Sequence, residues 1–329
     1  MKYKVLHLLK EDNSKFLSGQ LISEKLGVSR TSIWKYIKSL KEEGYRIDSS
    51  SKKGYKLISS PDILTFEEIN PYLNTNYIGR KIIHFESITS TNDMAKDLSE
   101  KGEDDGAVVI SEEQVGGKGR LGRSWCSPKY KGISMSLILR PNINPMEASK
   151  TTQIAAAAMI ESFREFNINS TVKWPNDIIV NGKKVCGILT EMSGELNRVN
   201  YIIVGVGINA NLDKDDFSRD LLDKATSIKI ETKNSINRKA LVGTFLNKFE
   251  RLYKEFREEG KIDLSIKICK DNSAVIGKDI KVIKNTGERR AKVLDLDKEG
   301  KLLVQYEDDS RERLISGEIS IRGLNEYIK

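Results

Sequence analysis

Apolar residues recur at helical spacing three times within the first sixty positions. Val5, Leu6, Leu8 and Leu9 predict a first helix. Leu21, Ile22 and Leu26 predict a second, capped by Ser18 and stopped at Gly27, and Ile33, Ile37 and Leu40 predict a third behind Ser29. After Gly44 the period shortens, and 45–48 and 54–58 read as two strands around a turn at 49–53. Three helices followed by a hairpin predict a winged helix-turn-helix, in which the third helix enters the major groove of DNA and the wing touches phosphates. Arg30, Thr31, Ser32 and Lys35 on that helix, with Lys52 and Lys53 on the wing, are the candidate DNA contacts. Trp34 stays outside this set, because an indole there is expected to pack against a neighbouring helix. The competing reading is a module that docks protein rather than DNA.

Ser59-Ser60-Pro61-Asp62 breaks the pattern and marks a boundary. Strands are predicted at 81–85, 107–112 and 133–139, with a helix from the cap Ser90-Thr91-Asn92 to Glu100 and a long alanine-rich helix over 147–166. Val172-Lys173-Trp174 then leads into Pro175-Asn176-Asp177. Beyond it, 178–180 and 184–189 flank Asn181-Gly182, a dipeptide suited to a two-residue hairpin turn. A strand at 201–206 runs into Gly205-Val206-Gly207-Ile208-Asn209. A helix over 237–260 precedes four short strands, 278–284, 292–297, 302–306 and 311–315, the first followed by the turn Asn285-Thr286-Gly287; these predict an SH3-like β-barrel. The expected domains are 1–62, 63–272 and 273–329, and the fold class is α+β with a mixed α/β centre.

Composition adds an asymmetry. Residues 1–60 hold 13 Lys or Arg against 6 Asp or Glu, which accounts for seven of the chain's eight net positive charges. A basic module joined to a nearly neutral remainder points to nucleic acid at one end and another task elsewhere. No run of about eighteen apolar residues occurs, and the N-terminus lacks a cleavable signal, so a protein with no membrane partner is expected. The three cysteines, Cys126, Cys186 and Cys269, are odd in number and far apart, and with only His7 and His84 no zinc-ligand spacing can be written. A reducing cytoplasm and no structural metal follow as expectations.

Two segments carry the chemistry. Gly116-Gly117-Lys118-Gly119-Arg120-Leu121-Gly122-Arg123-Ser124-Trp125 joins backbone freedom to ammonium and guanidinium charge, which suits a loop closing over an anionic intermediate. It lacks the Gly-Lys-Ser/Thr ending of a P-loop and the following helix of a Rossmann turn, and a basic surface loop is the plain alternative. Lys173-Trp174-Pro175-Asn176-Asp177 puts an amide and a carboxylate after a strand, where metal ions and nucleotides are often held; Asp177 could equally form a turn. Lys184, next to a hairpin turn, reads from spacing alone as a solvated lysine.

In order and spacing, Ser90-Thr91-Asn92, the run from Gln114 to Trp125, Lys173 to Asp177, Lys184 with Gly187, and Gly205 to Asn209 closely resemble the biotin protein ligases. With the helix-turn-helix first and the small β-domain last, the whole chain is similar to the bifunctional biotin ligase and biotin operon repressor type. The resemblance implies that biotin and MgATP yield biotinyl-5′-adenylate, whose biotinyl group passes to a lysine of a biotin carboxyl carrier protein. It implies that Ser90, Thr91, Asn92, Gln114, Gly117, Lys118, Gly119, Arg120, Lys184, Gly187 and Gly205 surround biotin. Arg120, Arg123, Trp125, Asn176, Asp177, Asn209 and Arg322 would serve ATP and the adenylate, and Asp177 and Asn209 a Mg²⁺ ion.

Two anions must meet in such a site, so Lys184 and Arg120 are the candidate catalytic cations. Lys118 stands where the family usually shows arginine, which removes bidentate geometry. Near 225–227 the chain has Ala225-Thr226-Ser227 where one family member stacks a tryptophan on adenine. A homodimer formed when the adenylate is bound, set on operator DNA, is the implied assembly. A biotin-sensing repressor without catalysis and a lipoate-type ligase are the alternatives.

Overall fold

The computed structural model describes residues 1–284, 287–315 and the backbone of 320–323. It divides into two compact units, Met1–Ile63 and Leu64–Lys329. In the first, helices α1 (Lys2–Glu11), α2 (Gly19–Leu26) and α3 (Arg30–Glu42) precede strands β1 (Arg46–Ser50) and β2 (Gly54–Ser59). Their starts follow from side-chain caps: Ser18 Oγ accepts from Leu21 N at 3.0 Å, and Ser29 Oγ from Ser32 N at 3.1 Å. Gly27 ends α2 in the left-handed region at φ 64°. Val5, Leu6, Leu9, Ile22, Ile33, Ile37 and Leu40 close a small core with Tyr45, Ile47 and Leu57. The wing is pinned by Leu17, which exchanges backbone hydrogen bonds with Tyr55 at 2.8 and 2.9 Å.

The second unit is built on a seven-stranded sheet in the order β3-β4-β5-β9-β8-β7-β6. A short helix, α4 (Phe66–Ile69), leads to β3 (Ile82–Phe85); α5 (Thr91–Glu100) then crosses to β4 (Val108–Ser111), parallel to β3. The other neighbours are antiparallel: β5 (Ile133–Leu139), β6 (Thr171–Lys173), β7 (Asp177–Val180), β8 (Lys183–Glu195) and β9 (Arg198–Ile208). Helix α6 (Lys150–Glu165), almost wholly buried, packs on this sheet, and α8 (Arg238–Glu259), which follows the short α7 (Ile228–Thr232), packs against α6. Helix α9 (Asp263–Asp271) leads to a five-stranded antiparallel sheet of β10 (Asp279–Lys284), β11 (Gly287–Leu296), β12 (Leu302–Tyr306), β13 (Arg311–Leu314) and β14 (Ser320–Gly323), ordered β13-β12-β11-β10-β14. Its inward residues, among them Val282, Val293 and Val304, join the same core as α6 and α8.

Several bounds differ from expectation. Strands β8 and β9 run on to a second turn at 196–197, because the partner strand, not apolar alternation, holds their polar ends in register. The long helix starts at Lys150, three residues later than the pattern suggests, after a short 3₁₀ turn at Pro145–Glu147. Helix α9 was not expected; it has no side-chain cap and only nine residues, too few for a clear period. Residues 285 and 286 of the expected turn, and the side chain of Arg322, lie outside the described residues.

Candidate functional site

Small residues carve the site into one face of the large sheet. Register sets Ser134 of β5, Gly207 of β9, Gly187 of β8 and Asp177 of β7 side by side, with Ser136, Gly205 and Leu189 in the neighbouring row. Successive side chains alternate between faces, so these residues share one surface. The glycines are needed for space rather than for backbone freedom. A Cβ on Gly205 would stand 2.1 Å from Asn92 Oδ1, and one on Gly207 would stand 2.5 Å from Trp125 Cε2. The result is a cleft floored by these small residues and walled by the start of α5 and the glycine-rich segment.

One wall is the start of α5. Ser90 caps it by accepting from Asp93 N at 3.3 Å, and Thr91 donates to Gln114 Oε1 through its amide (2.8 Å) and its hydroxyl (3.1 Å). Ser136 supports this wall from the floor, its hydroxyl lying 2.8 Å from Thr91 Oγ1 and 2.6 Å from Asn92 Oδ1. Asn92 Nδ2 donates to Leu189 O and to Glu191 Oε2, at 3.3 and 2.7 Å. Thr91 and Gln114 are therefore bonded to each other, and the amide's nitrogen end faces Gly117.

The glycine-rich segment is a tight hairpin. Trp125 N donates to Gly117 O at 2.9 Å and Gly119 N to Arg123 O at 2.7 Å, leaving Arg120, Leu121 and Gly122 at the tip. Leu121, a non-glycine residue at φ 57°, stands 67% exposed there. The indole of Trp125 folds back over Gly187 and Gly207. Lys118 is anchored to Asp93 at 2.7 Å, which gives this lysine a partner on α5. Arg120 points inward and donates to Asn176 Oδ1 at 2.9 Å. Burial lowers its guanidinium pKa, Asp177 opposes that shift and Arg123 adds to it; an arginine stays protonated regardless.

Across the cleft, Lys184 Nζ lies 2.6 Å from Asp177 Oδ1 and 5.3 Å from the centre of the Trp125 ring. Its backbone is clamped on both sides, donating to Lys224 O and accepting from Thr226 N, each at 2.9 Å. Asn176 is fixed by Ile188, whose carbonyl accepts from Nδ2 and whose amide donates to the Asn176 carbonyl, each at 2.9 Å. A lysine, an arginine, an amide and a carboxylate thus converge around the small-residue floor. Such a set can bind two anions at once and shield the species they form.

The structure brings Ser90, Thr91, Asn92, Gln114, Lys118, Gly119, Arg120, Trp125, Asn176, Lys184, Gly187 and Gly205 to one cleft. Gly117 backs that lining, against Trp125 and Gln114. Arg123 is exposed on the outer limb of the hairpin, and Asn209 is not part of the lining. Asn209 Nδ2 donates to Thr226 O at 3.0 Å and its carbonyl accepts from Ile228 N at 2.9 Å, so it pins the 226–228 segment. Arg322 lies in β14 opposite Lys281.

Among the described residues no group of three or more His, Cys, Asp or Glu could hold a metal ion. With Asp177 ion-paired to Lys184, the donors fit a cation carried in on phosphate oxygens better than a protein-built cage. Ser136 and Leu189 were not expected at the site, whereas Gly207 belongs to the Gly205–Asn209 run, whose glycines allow close approach to a ligand. For Ser136 the period-two run Ser134-Met135-Ser136 was the signal available.

In the first unit Arg30, Thr31, Lys35, Lys52 and Lys53 are all exposed. Ser32 is half-buried and its hydroxyl is 3.0 Å from that of Ser29, inside the cap. Trp34 departs from expectation: it is 55% exposed on the Arg30–Lys35 face, with Lys38 Nζ 5.8 Å from its ring centre. The core of this unit is filled by Ile33 and Ile37, which leaves the intervening position pointing out.

Known proteins agree with this arrangement. Residues 84–209 match the biotin/lipoate A/B protein ligase family, 2–56 an HTH domain, and 275–322 a biotin protein ligase C-terminal domain. The chain is 36% identical over 98% of both sequences to the bifunctional ligase/repressor BirA of Bacillus spizizenii. Against the protein of the same name from Escherichia coli it is 29% identical over 94% of both. A biotin protein ligase from Aquifex aeolicus, solved with biotin and ATP, superposes with a TM-score of 0.64 at 27% identity, covering 74% of this chain and 99% of that one.

Proposed function

Because the chain belongs, along nearly its whole length, to the bifunctional ligase/repressor members of the biotin protein ligase family, we propose a specific division of labour within its cleft. The protein is an ATP-dependent biotin ligase and a DNA-binding repressor. It activates biotin to biotinyl-5′-adenylate and transfers the biotinyl group to a lysine of a carboxyl carrier protein.

Biotin's ureido ring lies against Ser90, Thr91, Asn92 and Gln114, a hydroxyl and amide set that complements one carbonyl and two N–H groups. Its carboxylate extends toward Lys184. There a carboxylate oxygen attacks the α-phosphorus of ATP and pyrophosphate leaves. Lys184 exchanges Asp177 for the meeting anions, a compact cation between carboxylate and phosphate. Arg120, held by Asn176, covers the mixed anhydride and keeps water from it until an acceptor amine attacks the acyl carbon and AMP departs.

Arg123 and Arg322 serve the phosphates, and Asn209 acts by holding the neighbouring segment. Asp177 is the carboxylate that would hold a Mg²⁺ ion, which would offset the charge of the triphosphate. Arg30, Thr31, Ser32 and Lys35, with Lys52 and Lys53, take the operator, and the adenylate-bound chain forms a two-fold dimer on it.

The observation that carries this reading is the convergence of Lys184, Arg120, Asn176 and Asp177 over three strand glycines. Acyl-adenylate formation measured with biotin and with lipoate side by side tests it. Product from biotin alone is expected; product from lipoate alone would overturn it.

A further inference from the structure

Trp174 is 3% exposed, and its indole N–H donates at 2.9 Å to the carbonyl of Gly300, 126 positions later in the chain. That carbonyl lies in the turn between β11 and β12 of the C-terminal sheet. The turn is well fixed from its own side: Asp297 Oδ1 accepts from the amides of Glu299 and Lys301, each at 2.9 Å, and Gly300 N donates to Asp297 O at 3.0 Å. It is also held from α6. Lys150 pairs with Glu299 at 2.9 Å and with Glu147 at 3.0 Å. Gln153, buried beside it, donates to the carbonyl of Pro175 at 3.3 Å. At φ 79°, Gly300 sits so close that a Cβ there would come within 2.8 Å of Gln153 Cγ.

These contacts grip Trp174 and Pro175 immediately before Asn176, whose Oδ1 receives Arg120. We infer that the Asp297–Lys301 turn is a positioning element for the ligase reaction: through the Trp174 indole it sets where Asn176 holds the Arg120 guanidinium over the cleft. A residue that merely filled space at 174 needs no N–H. This one has its polar edge spent on a carbonyl of the C-terminal sheet, so position, and not only volume, is specified. The inference rests on the role proposed above for Arg120.

The test uses the full chain carrying Trp174→Phe, which keeps a ring and loses the donor, and Arg120→Ala, singly and together. Three quantities are read: release of biotinyl-adenylate in the absence of acceptor, biotin affinity, and the unfolding midpoint. Trp174→Phe is expected to speed release about fivefold to tenfold, the effect of one lost buried hydrogen bond, with biotin affinity unchanged. The double variant is expected to release no faster than Arg120→Ala alone. If Arg120→Ala retains adenylate like the wild type, the role given to Arg120 fails. If Arg120→Ala leaks while Trp174→Phe retains adenylate normally, the turn positions nothing and the inference is overturned. Glu299→Gln loosens the same turn from its exposed side without touching the core. Should Trp174→Phe prove too unstable to assay, Glu299→Gln decides: faster release supports the inference, and wild-type retention overturns it.

Discussion

At the scale of single residues, the charges that matter are paired before any ligand arrives. Lys184 with Asp177, Lys118 with Asp93 and Arg120 with Asn176 hold the cleft's cations in place. None of these pairings was legible in the sequence, since the partners lie seven, twenty-five and fifty-six positions apart and only folding joins them. The same is true of a fully buried ion pair beneath the β4 end. Glu112 accepts from Arg238 at 2.9 Å, from the amide of Leu64 at 2.6 Å, and lies 3.0 Å from His84 Nε2.

Burial opposes the Glu112 charge most strongly, yet His84, Arg238 and the Leu64 amide together hold its pKa below the ordinary 4.5. A carboxyl lowered in the folded state stabilises fully above its unfolded value and loses that contribution as pH falls through the folded one. Denaturation midpoints recorded against pH should therefore fall on the acid side of 4.5. In Glu112→Gln that slope should flatten, with neutral-pH stability lower by about 3 kcal/mol because a buried carboxylate facing Arg238 and His84 is lost.

At the scale of elements, the sheet's small-residue rows decide what can bind. The sequence showed Gly205 and Gly207 as places of close approach, and Asn181-Gly182 as a hairpin turn, because glycine and turn chemistry are local. It did not show that β8 and β9 run on to 196–197, nor that the glycine-rich run folds as a hairpin with Trp125 returning over the floor, because cross-strand pairing decides both. Gly205→Ala places a methyl 2.1 Å from Asn92 Oδ1 and must push that wall outward. Calorimetric titration should show biotin affinity reduced at least tenfold, about 1.4 kcal/mol, while the thermal midpoint shifts by only a few degrees. Normal affinity in this variant would mean that Asn92 and Gly205 do not shape the biotin site.

At the scale of the whole molecule, the chain joins a basic reading unit to a nearly neutral catalytic one, and the helical pattern, the break at Ser59-Ser60-Pro61-Asp62 and the charge balance together made that division visible. The exposed indole of Trp34 was the miss, since a single apolar residue on a polar helix face resembles core until the core is seen to be full. Trp34→Ala is expected to weaken operator binding by about 1–3 kcal/mol and leave adenylate formation unchanged. Gel-shift titration with and without biotin and ATP would register both that loss and the adenylate dependence proposed for the dimer. Identical operator affinity with and without these substrates would reject the dimer proposal.

The central claim is that the Lys184 cleft performs the activation step. Biotin-dependent exchange of labelled pyrophosphate into ATP, compared between the wild-type chain and Lys184→Ala, measures that step directly. The predicted result is exchange that saturates with biotin in the wild type and falls by about a hundredfold or more in the variant. Equal exchange in the two proteins would contradict it.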